Sequence, residues 1–211
     1  MYLPAHFEEN RVEVLHALMG EHPFATLLTL GAGELEANHL PLHLDPEAGP
    51  FGVLQGHVAR ANPVWKQAAD SEVLVVFHGP QAYITPSWYE TKREHGKAVP
   101  TWNYVVVHGR GRLRTMNDPD WLLANLESLV AHHEAGFAEP WQIGDAPPDY
   151  IDKMLAAIVG IEIELTELKG KWKISQNQPP ANRTGVVAGL RSLDTADAAA
   201  MADLVAGTLH P

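Results

Sequence analysis

Two short runs of apolar, mostly β-branched residues constrain the fold of this chain more than any other feature. The runs are Val73–Phe77 and Tyr104–Val107, and each is followed by a histidine and a glycine. Short runs of this composition that end near a glycine predict buried β-strands rather than helices. The stretch Val73–Arg114 therefore predicts two core strands with an insert between them.

The insert combines large aromatic side chains with hydroxyl, amide and amine groups. Its aromatic residues are Tyr83, Trp88, Tyr89, Trp102 and Tyr104, and the polar residues among them are Thr85, Ser87, Lys97, Thr101 and Asn103. This mixture suits a flat ligand with a polar edge, because aromatic faces stack while their neighbours form hydrogen bonds. The alternative is that the aromatic residues cover the core or form a dimer interface. Composition alone does not distinguish a ligand site from this alternative.

Short strands and flanking helices are predicted for most of the remaining chain. Strands are predicted at Phe24–Leu30, Leu35–Leu44, Gly52–Val58 and Gly160–Glu167. Helices are predicted at Glu8–Met19, Val64–Ala69, Pro119–His133, Tyr150–Ile158 and Thr195–Leu209, the first ending at Gly20 and the last lying on the surface. The sequence Gly31-Ala32-Gly33 predicts a hairpin turn between the first two strands.

Hairpins rather than strand–helix–strand units indicate an antiparallel sheet. The pattern favours a mainly β chain of the α+β class, an antiparallel barrel with peripheral helices. The sequence has no glycine-rich dinucleotide fingerprint and no P-loop, which argues against a Rossmann fold and an NTPase. We predict one domain at residues 1–193, with residues 194–211 as a C-terminal helical appendage of the same domain.

The junction after the predicted strand Gly52–Val58 is a candidate phosphate site. Arg60 and Asn62 lie between this strand and the next predicted helix, and His57 lies near the strand end. A helix N-terminus offers unpaired N–H groups, and a guanidinium can bind phosphate through two N–H bonds. The alternative is that Asn62 only caps the helix and that Arg60 is an ordinary surface residue.

The segment Lys169–Leu193 is basic within an acidic chain. It contains no acidic residue, and its cations are Lys169, Lys171, Lys173, Arg183 and Arg191. Basic groups beside the polar run Ser175–Gln178 suit an anionic ligand or a negatively charged partner. The alternative is a segment that packs on its own acidic domain or across a dimer, and both interpretations stay open.

Five sequence blocks in order carry a resemblance to a known family. They are MYLPAHF, HVARANPVW, AYITPSWY, GKAVPTWNY with VVVHGRG, and KISQNQPPANRTGVVAGL, which together extend from Met1 to Leu190. They resemble the PaiB-type family of FMN-binding negative transcriptional regulators. The resemblance implies an FMN-binding split β-barrel, usually a homodimer, with a link to gene repression.

The resemblance also implies a set of cofactor-binding residues. His57, Arg60 and Asn62 are expected to hold the phosphate of FMN, which in flavin split barrels lies at this strand-to-helix junction. Thr101, Trp102 and Asn103 are expected near the flavin ring, and Lys173, Ser175, Gln176 and Asn177 are expected to close the site. One alternative is an FMN-dependent oxidoreductase or flavin reductase, and another is haem in the same cleft with one of the 12 histidines as axial ligand.

Composition restricts the partners and the compartment. The net charge of −11 makes direct DNA binding doubtful, because much of the affinity for DNA comes from neutralised phosphates. The chain has neither an apolar run long enough to span a membrane nor a signal peptide, which predicts a cytoplasmic protein. No metal site is expected, because cysteine is absent and His39 and His43 would lie ~13 Å apart along one strand.

Overall fold

Eight strands and seven α-helices make up the part of the chain that the computed structural model describes, residues 1–31 and 33–209. The strands are β1 (Glu8–Glu9), β2 (Phe24–Gly31), β3 (Glu34–Pro41), β4 (His43–Asp45), β5 (Val53–Ala59), β6 (Glu72–Ile84), β7 (Thr101–Met116) and β8 (Ile158–Lys173). The α-helices are α1 (Val12–Glu21), α2 (Val64–Gln67), α3 (Glu90–His95), α4 (Pro119–Glu134), α5 (Pro148–Ala156), α6 (Pro180–Arg191) and α7 (Ala196–Gly207).

The strands form one sheet in the order β3-β2-β6-β7-β8-β5-β4, and β1 pairs with β8. The pairs β2–β3, β2–β6, β4–β5 and β5–β8 are antiparallel. The predicted antiparallel α+β architecture is therefore confirmed. None of the helices of residues 1–31 and 33–209 is both long and apolar enough to cross a membrane.

The N-terminal helix is shorter than the sequence predicts. Glu8 and Glu9 do not form its first turn but pair with Lys171 and Gly170 of β8 as the short strand β1. The helix begins only at Val12 and continues through Gly20 to Glu21. The prediction failed here because the free edge of β8 offers these residues backbone hydrogen bonds that a local helix signal cannot reveal.

The two central strands are longer than their apolar runs. β6 continues from Phe77 to Ile84, and β7 begins at Thr101 rather than at Tyr104. Much of the predicted insert is therefore strand, which places Tyr83 on β6 and Trp102 on β7. The extension escaped prediction because only every second residue is buried there, as Ala82 and Ile84 are, so no continuous apolar run appears.

The predicted strand Leu35–Leu44 is two strands, β3 and β4, interrupted at Leu42. The backbone N–H of Leu42 leaves the sheet and donates to the carbonyl of Pro23 at 2.9 Å. Pro41, which has no N–H, precedes this break. The predicted hairpin between β2 and β3 is supported by the pairing of Gly31 with Glu34, while Ala32 of that turn lies outside the described residues.

The chain packs into two compact units, each made of several segments. Unit 1 comprises Met1–Leu15, His78–Val107 and the described chain from Lys169 onward, and unit 2 comprises His16–Phe77 and His108–Leu168. In unit 2, Ile161, Ile163 and Leu165 of β8 are fully buried, as their alternation predicts.

In unit 1 the C-terminal helix α7 packs against α6. It is not purely a surface helix, because the side chains of Met201, Ala202 and Val205 are completely buried. Arg183 of α6 donates a hydrogen bond to the carbonyl of Thr208, and Arg191 forms an exposed ion pair with Asp203. Two of the predicted basic residues therefore hold the end of the chain in place.

Gly111 and Gly20 provide a matched test of close strand packing. A Cβ at Gly111 of β7 would lie 2.4 Å from the carbonyl oxygen of Glu164 in β8, whereas a Cβ at Gly20 of α1 would meet no atom within 4 Å. We expect Gly111→Ala to lower the free energy of unfolding by about 1–3 kcal/mol, because backbone must shift. Gly20→Ala should raise it by up to about 1 kcal/mol, because alanine favours a helix.

Chemical denaturation of both variants measures the two changes. A Gly111→Ala protein as stable as the wild type would contradict the close approach of β7 and β8 at this position.

Candidate functional site

A cavity of about 270 Å³ in unit 1 collects polar side chains from three segments of the chain. We call it the Lys173 cavity. Its lining residues are Tyr89, Thr91, Lys97, Ala98, Val99, Pro100, Thr101, Asn103, Lys173, Ser175, Asn177 and Gln178. Five of the ten predicted cofactor-binding residues therefore come together in one cavity: Thr101, Asn103, Lys173, Ser175 and Asn177.

A buried hydrogen-bonded pair forms part of the cavity wall. Asn103 is 1% exposed and Ser175 is 3% exposed. The amide nitrogen of Asn103 donates to Ser175 Oγ at 2.9 Å, and Ser175 Oγ lies 3.3 Å from the amide oxygen of Asn103, to which it donates. This pair joins the start of β7 to the residues that follow β8.

Ser175 is held in a backbone conformation that residues other than glycine rarely adopt. Its φ is 64°, in the left-handed region, where a Cβ crowds the neighbouring backbone. Such strain persists only where the surrounding structure enforces it, and it concentrates at functional sites. The strained residue lies at the Lys173 cavity, which marks this cavity as the candidate site in unit 1.

Lys173 places its amine inside the cavity wall. Nζ donates to Thr101 Oγ1 at 2.5 Å and to the carbonyl oxygen of Trp102 at 2.7 Å. Partial burial lowers the pKa of Lys173, the nearby Lys171 lowers it further, and Tyr104 acts in the opposite direction. The two hydrogen bonds hold the amine in a defined position, which a free surface lysine would lack.

Helix α6 supports the cavity through a residue that sequence reasoning did not single out. Asn182 is 1% exposed, and its Oδ1 accepts from the backbone N–H of Thr91 at 3.1 Å. Its Nδ2 donates to Thr91 Oγ1 at 2.9 Å and to Gln178 Oε1 at 3.1 Å. Because Thr91 and Gln178 both line the cavity, Asn182 connects two of its walls from behind.

Two glycines let α6 approach the aromatic segment closely. A Cβ at Gly189 would lie 2.3 Å from the Trp88 ring, and a Cβ at Gly185 would lie 2.0 Å from the Trp88 carbonyl oxygen. The four-residue spacing of Gly185 and Gly189, which puts both on one helix face, was the available sequence signal. Trp88 therefore anchors the segment to α6 and does not line the cavity.

Two predicted ligands of unit 1 lie outside the cavity. Trp102 is 48% exposed, and its Nε1 donates to Gln81 Oε1 at 3.0 Å. Its ring contacts Tyr83 edge-on, with the ring centroids 6.0 Å apart. The side chain of Gln176 turns back to the main chain, where it accepts from the N–H of Ile174 and donates to the carbonyl of Trp172.

The predicted phosphate ligands lie in unit 2, where Arg60 and Asn62 form hydrogen bonds with other residues of the protein. Arg60 donates to the carbonyl oxygens of Ala156 and Ile158, both at 2.8 Å, and to Asn117 Oδ1 at 3.4 Å. Asn62 accepts from the N–H of Val64, at the start of α2, and donates to Asn38. These bonds join the end of β5 to neighbouring segments, and a phosphate role for these residues stays a prediction.

His57 lies on β5 and is half-buried. Its Nδ1 has no hydrogen-bond partner within the described part of the chain, and burial lowers the pKa of the imidazole. An unfolded histidine, with a pKa of about 6.5, then binds a proton more readily than His57 in the folded protein. The contribution of His57 to folding stability is therefore fully present above the pKa of the unfolded histidine and is lost as the pH falls through the lower pKa of the folded state.

We expect His57→Gln to reduce the loss of stability that accompanies acidification, because glutamine does not titrate. The measurement is the free energy of unfolding from denaturant titrations at a series of pH values from neutral to mildly acidic. A pH dependence unchanged from the wild type would show that His57 does not contribute to it.

Ser175 can be tested with two substitutions that both remove its hydroxyl. Ser175→Ala should lower the free energy of unfolding by about 1–3 kcal/mol, because the buried amide of Asn103 loses its partner. Ser175→Gly loses the same bond but relieves the left-handed strain, so it should be more stable than the alanine variant by about 1 kcal/mol. Denaturant unfolding measures this difference, and equal stabilities would argue against strain at Ser175.

The sheet order and flanking helices define a fold that known flavoproteins share. The flavocytochrome Anf3 from Azotobacter vinelandii superposes with a TM-score of 0.60 at 13% identity, over 79% of this chain and 69% of that chain. The FAD and heme binding protein from Mycobacterium smegmatis superposes with a TM-score of 0.59 at 15% identity, over 79% of this chain and 73% of that chain. The fold is thus the antiparallel split barrel of flavin-binding proteins, as predicted.

The chain belongs to the PaiB-type family, since the family model described as "Putative FMN-binding domain" matches residues 1–167. The "Protease synthase and sporulation protein PAI 2" of Bacillus subtilis is 32% identical over 206 residues, which cover 97% of this chain and 96% of that protein. The family membership predicted from five sequence blocks is confirmed. The match ends before Lys173, Ser175, Asn177 and Gln178, so it does not include one wall of the Lys173 cavity.

Proposed function

We propose that this protein binds a flavin, specifically FMN, and that the Lys173 cavity is part of its binding site. The observation that carries the proposal is that five of the expected cofactor-binding residues, from two distant segments of the chain, line one cavity in a chain whose family is described by FMN binding. The lining suits the polar edge or the tail of a flavin, because it offers hydroxyl, amide and amine groups beside the ring of Tyr89.

The roles of the lining residues follow from their chemistry. Thr101, Asn103 and Ser175 offer hydrogen-bonding groups from a rigid wall, and Asn177 adds an amide from the loop before α6. Trp102 and Gln176 support this wall through their backbone carbonyl and side-chain amide contacts. A bound flavin would supply electron-transfer chemistry, while the protein orients the cofactor and limits the access of water.

We propose separately that Arg60, His57 and Asn62 bind the phosphate of FMN. A guanidinium carries five N–H groups, and Arg60 is exposed while three of its N–H groups contact protein acceptors. The remaining N–H groups support a role in binding phosphate.

We further propose a cytoplasmic homodimer with a regulatory role that depends on a ligand or protein partner rather than on DNA. The exposed aromatic side chains Tyr83 and Trp102, at 50% and 48% exposure, support a partner surface on unit 1. The family resemblance supports the regulatory role, and the net charge of −11 disfavours phosphate-rich DNA.

Titration of the purified protein with FMN tests the flavin proposal. We expect quenched flavin fluorescence, together with a yellow protein that retains flavin through gel filtration. Riboflavin and FAD in parallel define which part of the cofactor is recognised, and haemin tests the alternative cofactor. Unchanged FMN fluorescence at micromolar protein, with no retained flavin, would contradict the proposal.

A further inference from the structure

The Lys173 cavity is positively charged inside a strongly acidic protein. Lys97 and Lys173 reach it from different segments, and no aspartate or glutamate is among its lining residues. The whole chain carries 26 acidic residues against 15 basic ones, so a lining without carboxylates is a local exception. In the ion pairs of residues 1–31 and 33–209, neither lysine takes part.

The neutral groups of the cavity are also suited to an anion. Three hydroxyl groups, from Tyr89, Thr91 and Thr101, accompany the amides of Asn177 and Gln178, while the hydroxyl of Ser175 already donates to Asn103. Hydroxyl and amide groups donate hydrogen bonds to phosphate or carboxylate oxygens, and lysine adds a compact positive charge. A cation that is already oriented loses less conformational entropy on binding than a mobile one.

The two lysines differ in how they are held. Lys173 Nζ is fixed by Thr101 Oγ1 and the Trp102 carbonyl, which use two of its three N–H groups. Lys97 is exposed and follows Gly96, whose φ of 71° ends α3 and turns the chain toward the cavity. A structural role alone could account for Lys173, but it does not account for Lys97 at the same cavity.

We propose that the Lys173 cavity binds an oxyanion, a phosphate or carboxylate group, between Lys97 and Lys173. This inference deepens the flavin proposal and in part rests on it, because the oxyanion is either the phosphate of FMN or a group of a second small anion. The wall of the cavity that Lys173, Ser175, Asn177 and Gln178 form lies beyond residue 167, outside the match to the FMN-binding family.

Binding of three probes to the full-length protein tests this inference. The probes are FMN, riboflavin, which lacks the phosphate, and inorganic pyrophosphate measured by calorimetry. The variants are Lys97→Met and Lys173→Met, with Lys92→Met as the matched control. Lys92 is a lysine of α3 that bonds to Ser87 and does not line the cavity.

We expect each cavity variant to weaken oxyanion binding by roughly ten- to a hundredfold, the effect of one charge-assisted hydrogen bond. Lys92→Met should leave binding unchanged. Thermal unfolding checks that each variant is folded. If Lys173→Met fails to fold, Lys97→Met decides the question, because its side chain makes no hydrogen bond among the described residues.

The outcomes also identify the source of the oxyanion. Weaker FMN binding with unchanged riboflavin binding places the flavin phosphate in the cavity, and Arg60→Ala should then leave FMN binding unchanged. Weaker pyrophosphate binding with unchanged FMN binding indicates a second anion, and Arg60→Ala should then weaken FMN selectively. Both results support the inference.

Two results would overturn it. One is unchanged binding of both FMN and pyrophosphate in the two cavity variants. The other is an equal loss of FMN and riboflavin, which would show that the lysines only shape the cavity. If the wild-type protein binds no flavin, the flavin proposal fails, and the pyrophosphate measurement alone tests the oxyanion site. Pyrophosphate binding that both lysine variants weaken supports the site. The absence of pyrophosphate binding excludes it.

Discussion

The close backbone packing of strand β8 is the constraint on which most of this structure depends. β8 pairs with β1 near its end and with β5 near its start, and it neighbours β7 in the sheet. Side chains are excluded at Gly111 and Gly160, where a Cβ would meet the Glu164 carbonyl or the Trp121 ring. The same strand supplies buried core residues in unit 2 and carries Lys173 to the cavity in unit 1, so one continuous element serves both stability and the site.

The candidate site shows how a polar cavity can be kept rigid without charge pairing. Its wall relies on neutral contacts, since Asn103 is held by Ser175 and Thr91 by Asn182. Buried polar groups that are fully hydrogen-bonded specify one arrangement, because any alternative leaves a group unsatisfied. In the ion pairs of the described part of the chain, neither Lys97 nor Lys173 takes part, which supports the proposed binding of an anion.

Helix α6 links the C-terminal region to this cavity. Gly185 and Gly189 admit Trp88, and Asn182 connects Thr91 with Gln178. The basic residues of the segment Lys169–Leu193 therefore have different roles. Arg183 and Arg191 fasten α6 to the chain end, Lys171 lies buried beside Tyr2 and Tyr104, and Lys173 alone among these four lines the cavity.

The sequence by itself determined the fold class, the family and five of the twelve residues that line the Lys173 cavity. Alternating apolar and polar residues predicted the strand at Gly160–Glu167, and five sequence blocks in order identified the family. Only the tertiary structure decided which side chains meet: Trp102 turns outward to Gln81, Gln176 turns back to the main chain, and Glu8 pairs with β8 instead of starting a helix. A local sequence pattern indicates only the periodicity of one segment. The pairing of strand edges, the direction of a side chain and the contacts between distant residues depend on segments that meet only when the chain folds.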